Sequence, residues 1–107
     1  MQRLLERKGW KVETTPITRD RGIDLIARRD DEVGGEVVLY LQCKNHASPV
    51  GVEVVRELNG ALPKQLSGAR GVLVCPSGFT ASAMTFAQER ELALWDRHHL
   101  FALARAE

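Results

Sequence analysis

Asp20-Arg21-Gly22-Ile23-Asp24-Leu25-Ile26-Ala27 and, after a polar stretch holding Gly34 and Gly35, Val38-Leu39-Tyr40-Leu41-Gln42-Cys43-Lys44 read as the two arms of a β-hairpin. Both arms are apolar and alternating, and a Gly-containing turn divides them. Residues two apart on a strand share a face. Asp24, Ile26 and Arg28 therefore project to one side, and Ile23, Leu25 and Ala27 to the other. Gln42 and Lys44 project together, with Cys43 on the opposite face. A turn centred near Val33 sets Asp24 opposite Gln42 and Ile26 opposite Tyr40, whereas a slip of one residue would change every pairing. Asp is disfavoured in strands, and a Lys at the end of a Val/Leu/Tyr run is unusual for a core.

In that register a carboxylate, an amide and an ammonium converge. The carboxylate of Asp24 and the amide oxygen of Gln42 are hard oxygen ligands of the kind Mg²⁺ or Mn²⁺ takes. Such a cation polarises a phosphoryl oxygen and lowers the pKa of a bound water. Lys44 could orient that water and stabilise the charge of a phosphoryl transition state. The plainer reading is a partly exposed Asp–Lys ion pair on an ordinary hairpin, which contributes little to stability. The Asp…Gln-x-Lys pattern is loose, and residue chemistry alone leaves the two readings level.

Gly22-Ile23-Asp24-Leu25-Ile26-Ala27, followed by an apolar strand ending Gln42-Cys43-Lys44-Asn45, resembles the catalytic domain of the Mrr-like restriction endonucleases. That group is a Q-x-K branch of the PD-(D/E)xK nuclease superfamily. Val54-Val55-Arg56-Glu57-Leu58-Asn59-Gly60-Ala61-Leu62 is similar to the family's next helix. Gly71-Val72-Leu73-Val74-Cys75, with Ser77-Gly78-Phe79-Thr80 and Ala83, is similar to the strand and helix start that follow. Leu94-Trp95-Asp96 and Leu100 resemble its closing strand pair. The resemblance runs in order from about Leu4 to Leu103. It implies Asp24 and Gln42 as metal ligands and Lys44 as the residue that positions water or stabilises charge. Asp20 matches the first Asp of the family's D-x-G-x-D stretch, while Arg21 departs from the small residue often found there. The family's helix before the first strand is longer and carries an upstream acid. Glu6 is the only acidic candidate here, and its place near the helix end argues against it. Either the N-terminal helix is truncated or the site has one ligand fewer.

Composition sets the remaining bounds. At 107 residues the chain fits one domain, 1–107, with a single core. Hydrophobic residues at 44% and charged residues at 27% are ordinary globular values. No apolar run approaches the roughly 20 residues of a membrane span, and no apolar segment of a signal peptide follows Met1. Cys43 and Cys75 form neither a C-x-x-C nor a zinc spacing. They read as buried reduced thiols in strands, which suits a cytoplasmic protein. Net charge is only +1, but the first 29 residues hold eight basic side chains against four acidic ones. That is a candidate phosphate-facing patch, although a solvated mixed surface is the commoner outcome for each residue.

Elsewhere, residues 1–8 read as a helix end capped at Gly9, and Trp10 to Thr15 as a strand with one buried face, ended by Pro16. Residues 28–35 form the hairpin loop. His46, in the loop leaving the Q-x-K strand, and Ser77, near a helix start, are candidate substrate contacts along with Asp20 and Arg21. Residues 52–62 carry an amphipathic stripe up to Pro63. The continuous apolar run 71–75 is a strand covered on both faces, in a parallel crossover from the Q-x-K strand. Thr80 is a helix N-cap. Leu92–Trp95 is a strand, Asp96–His99 a turn, and Leu100–Leu103 a last strand.

The expected fold is α/β: a restriction-endonuclease-like three-layer sandwich, with a mixed central sheet whose antiparallel catalytic hairpin is flanked by helices. The expected function is metal-dependent endonucleolytic hydrolysis of DNA, double-stranded, with Mg²⁺ or Mn²⁺. A homodimer would serve two-strand cutting, and DNA reading would fall to a further domain. Two alternatives stand beside it: a nuclease-fold module that binds nucleic acid or a protein without cutting, and a junction- or RNA-directed enzyme on the same fold.

Overall fold

The computed structural model describes residues 1–15, 22–63 and 69–105. The central hairpin forms in the expected register. Strand β2 (Leu25–Asp30) pairs antiparallel with β3 (Glu36–Cys43), with Ile26 opposite Tyr40 and Leu25 opposite Leu41. The strand arms run further than the alternation suggested, and the turn shrinks to residues 31–35. Asp31 organises it: its carboxylate accepts the backbone N–H groups of Val33 and Gly35. An Asp that folds back on its own turn in this way is a common turn device.

Strand β1 (Lys11–Thr14) lies antiparallel on the outer edge of β2. On the other side of β3, strand β4 (Ala69–Val74) and then β5 (Ala93–Trp95) join in parallel, giving the sheet order β1-β2-β3-β4-β5. Helix α2 (Val52–Ala61) connects the parallel pair β3 and β4. Helix α3 (Ala81–Glu89) connects β4 to β5, and its N-cap Thr80 accepts the Ala83 N–H as foreseen.

Two apolar layers follow from the strand alternation. Val38, Tyr40 and Leu73 face α2 and α3, meeting Val55, Leu58, Ala83 and Ala87. Leu25, Ala27, Leu39, Leu41, Val72 and Val74 face the other way, onto Leu5 of helix α1 (Gln2–Arg7) and Leu100 of the last helix. The expected α/β three-layer sandwich with a mixed sheet is therefore the fold. The central strands read as near-continuous apolar runs because both faces are covered, and each buried aliphatic side chain contributes about 1.5–3 kcal/mol.

Two expectations are corrected. Residues 97–105 are not a turn and strand but helix α4 (Arg97–Arg105). Asp96 starts it, its carboxylate accepting the His99 N–H and its carbonyl the Leu100 N–H. His98 and His99 are consequently exposed helical residues, and His99 stacks on Trp95 at 4.9 Å between ring centroids. Cys75 is buried as expected, but Cys43, the last residue of β3, is exposed. The N-terminal basic group is partly engaged: Arg28 pairs with Glu13 at 3.3 Å, and Arg29 lies 4.5 Å over Trp10.

Candidate active site

The site lies where β3 leaves the sheet. Asp24 sits one residue before β2 yet its backbone is held on both sides. Its N–H donates to the Leu41 carbonyl at 2.7 Å, and its carbonyl accepts the Thr15 N–H at 3.1 Å. Thr15 adds a side-chain bond to the Ile23 carbonyl. These bonds hold Asp24 against the end of β3, one residue beyond the last paired rung, Leu25 opposite Leu41. Its carboxylate turns onto the β3 backbone, where Oδ2 accepts the Cys43 N–H at 2.7 Å. An ionised carboxylate has about four lone-pair sites, so most of its capacity stays open to the exposed side.

Gln42 is only 1% exposed, the one buried polar side chain among the described residues. Its Nε2 donates to Glu57 Oε1 on α2 at 3.1 Å. Its Oε1 is buried with no hydrogen-bond partner among the described residues. A buried acceptor left unmet costs about 1–3 kcal/mol, so this oxygen is built to receive something, a water or a hard cation. Lys44, half-buried, follows on the same face, and its N–H is pinned to the Val74 carbonyl at 2.8 Å. Among the described residues no carboxylate forms an ion pair with it.

The loops at this end of the sheet are tied together. Val50 bridges to Phe79, its N–H donating to the Gly78 carbonyl and its own carbonyl accepting from Thr80. Ser77 Oγ donates to the His46 carbonyl. Ser77 thus spends its hydroxyl proton on fastening the loop that carries His46, whose side chain is exposed. Asp20 and Arg21 lie outside the described residues. Glu6 is exposed, takes a bond from Gln2 within α1, and lies in the opposite helical layer.

Glu57 was missed by sequence reasoning. On a helix it looks like any solvated acid, but it stands three residues after Val54 and four before Ala61, both of which border the sheet-facing core. That margin position was the available signal. Donor chemistry fits a hard divalent cation: the Asp24 carboxylate with the unmet Gln42 oxygen, completed by water. No group of three or more His, Cys, Asp or Glu side chains converges anywhere among the described residues, so such a cation would rely on the amide. A cavity of about 630 Å³ opens at the other end of the strands, between Trp10, Arg70 and Trp95, and contains none of these residues.

Cys43 records the charge of the site. Partial burial first, and the adjacent Asp24 carboxylate second, raise its thiol above the usual value, against a weaker opposing pull from the N-terminal ammonium. The thiolate is therefore disfavoured. Asp24→Asn should speed alkylation of Cys43 by iodoacetamide near pH 8, because one of the two raising influences is removed. Unchanged alkylation would place Asp24 too far away to be felt.

Comparison with known proteins identifies the family and the fold. A family model described as restriction endonuclease, Mrr_cat, matches residues 1–104. The chain belongs to the Mrr_cat restriction endonuclease family. No curated protein matches it. Among solved structures it is similar to AF1548, a protein of unknown function, with 21% identity and a TM-score of 0.71 over 89% of this chain and 53% of that one. It is similar to the MspJI restriction endonuclease in complex with a 27-mer oligonucleotide, with 22% identity and a TM-score of 0.70 over 94% of this chain and 24% of that one. A repair endonuclease from Pyrococcus abyssi aligns at 23% identity and a TM-score of 0.62, over 88% and 40% of the two chains. At these identities the likeness speaks for the fold. The chain spans about half or less of the length of each. Among the described residues no helix is long and apolar enough to cross a membrane.

Proposed function

We propose that this nuclease domain hydrolyses DNA phosphodiester bonds with the help of Mg²⁺ or Mn²⁺, using Asp24, Gln42 and Lys44. The observation that carries the reading is the buried, unpartnered Gln42 Oε1, on a strand whose next residue, Cys43, gives its N–H to the Asp24 carboxylate. Asp24 and Gln42 would hold the cation, which when bound supplies Lewis acidity at the scissile phosphoryl group. Lys44 holds the attacking water, or offsets the negative charge that gathers on the phosphoryl oxygens, from a backbone fixed by β4. In the reaction a water oxygen bonds to phosphorus as one ester P–O bond breaks, leaving a phosphate monoester and an alcohol. Because Gln42 is neutral, the cation is held by one carboxylate charge fewer than in a D/E-x-K site, and its affinity is correspondingly lower.

A nucleic-acid substrate is supported by family membership and by the oligonucleotide in the MspJI complex, and duplex DNA is the form proposed. Asp20, Arg21, His46 and Ser77 are the candidate substrate contacts. Cutting both strands favours a homodimer, since one site faces one strand. Target reading falls to a further domain or partner, and two free thiols accord with the cytoplasm. The neutral Gln42 also favours a second reading, a module that binds DNA without cutting.

Incubation with supercoiled plasmid separates the two. Nicking is expected with Mg²⁺ or Mn²⁺, to vanish with chelator, and to fall at least about 10²-fold in Asp24→Ala, as when a single group acting on the transition state is removed. Wild-type protein that is folded, binds the plasmid and leaves it intact in every cation would favour the non-cutting module.

A further inference from the structure

We propose that Glu57 is a positioning residue of this site: its carboxylate fixes the Gln42 amide so that the oxygen, and not the nitrogen, is presented to the cation. The inference rests on the reading of Asp24 and Gln42 as cation ligands.

An amide has a donor end and an acceptor end of nearly the same shape, and only the acceptor can bind a cation. An ionised carboxylate accepts hydrogen bonds and donates none. Opposite Glu57, at 3.1 Å, the amide must therefore turn Nε2 toward Oε1 of Glu57 and leave its own oxygen elsewhere. That oxygen is the buried atom with no partner among the described residues. The bond also polarises the amide, drawing its proton toward the carboxylate and leaving more negative charge on the oxygen. In this way a neutral Gln gains some of the ligand strength of an acid, and the site gains a second carboxylate that does not itself have to touch the cation.

The pair is held from two further directions. Glu57 lies between Val55 and Leu58, both fully buried, so packing sets the rotation of α2 about its axis. On the other side stands Gly22. A Cβ there would come within 2.3 Å of Gln42 Nε2 and 3.2 Å of Glu57 Oε1. The missing side chain at Gly22 makes room for the Gln42–Glu57 hydrogen bond itself.

The test is Mn²⁺ binding measured by titration calorimetry on the intact chain, with melting temperature recorded in metal-free buffer. Glu57→Gln keeps shape and hydrogen-bonding reach but can donate as well as accept, so the amide at position 42 loses its enforced orientation. Its Mn²⁺ affinity is expected to fall about 10–100-fold, the usual loss when a ligand-orienting partner is removed, with little change in melting temperature. The exchanged double variant Gln42→Glu/Glu57→Gln keeps one amide and one carboxylate in contact and moves the carboxylate to the cation side, so its affinity should recover. Wild-type affinity in Glu57→Gln, with binding still lost in Asp24→Ala, would overturn the positioning role and leave the cation site standing. A loss in Glu57→Gln that the exchange does not restore would mean that Glu57 only braces α2. Equal binding by wild type and Asp24→Ala would remove the cation site, and this inference with it.

Discussion

Lys44→Met is expected to slow single-turnover DNA cleavage by about 10²–10³-fold, the range seen when one charge-stabilising donor is removed from a transition state. Duplex affinity and melting temperature should hardly move. The side chain is half-buried and forms no ion pair among the described residues, so its removal breaks no structural pair. Methionine keeps the unbranched stem, and the packing of that stem, while deleting the ammonium. The backbone stays where β4 holds it, through the bond from the Lys44 N–H to the Val74 carbonyl. In the proposed mechanism, what disappears is a point charge that offsets the negative charge growing on the phosphoryl oxygens. Lys44→Arg is the informative companion. It retains the charge but replaces a compact ammonium by a planar fork that reaches further and hydrogen-bonds in fixed directions. Partial recovery is expected, weaker than full activity. Cleavage by Lys44→Met at the wild-type rate would remove Lys44 from the chemistry. A parallel loss of DNA binding and rate would assign it to ground-state attraction of the backbone.

Much of the hairpin that carries the candidate site could be read before the structure, for a physical reason. Side-chain direction in a hairpin has a period of two, and the apolar pattern on both arms fixes which face is buried. Registers of one parity put Leu25, Ala27, Leu39 and Leu41 in the same layer, and the placing of the turn near Val33 selects the one that sets Leu25 opposite Leu41 and brings Asp24 to the end of β3. The Thr80 cap was legible because it rests on one local hydrogen bond. The last helix was not. Leu100-Phe101-Ala102-Leu103 is a short apolar run, and such runs do not distinguish strand from helix by periodicity. The deciding signal was Asp96, three residues before His99, an N-cap spacing that outweighs the run. Cys43 was misjudged because a strand pattern says which face a residue takes, not how far it is covered at the strand's last residue.

Glu57 marks a different limit. Its chemistry is set by a partner 15 residues earlier, on another element, and by the space that Gly22 leaves. Helical position alone gives an acid at the margin of an apolar stripe, where most acids are solvated. A resemblance that names Asp, Gln and Lys says nothing of what keeps the Gln amide the right way round. That property appears only when strand, helix and glycine are in place together.

Gly22→Ala and Gly60→Ala should shift stability in opposite directions, though each adds the same methyl group. Gly60 lies inside α2, without a positive φ and with nothing within 4 Å of an added Cβ. Alanine there is expected to stabilise by about 0.5–1 kcal/mol, since glycine loses more backbone freedom on entering a helix. Gly22 has φ +106°, a conformation that side chains resist, and its Cβ would stand 2.3 Å from Gln42 Nε2 and 2.9 Å from Cδ. The far end of a flexible side chain could normally swing away. Gln42 cannot do so freely, being 1% exposed and bonded to Glu57. Strain at such a position costs about 1–3 kcal/mol. At about 4 °C per kcal/mol for a chain of this size, both effects are measurable by thermal melting. Gly22→Ala should also lose Mn²⁺ binding at temperatures where it is still folded, because the displaced amide takes its oxygen with it. A Gly22→Ala protein that melts with the wild type and binds Mn²⁺ equally well would mean that Gln42 has another resting place, and that the Gln42–Glu57 bond is not what sets the site.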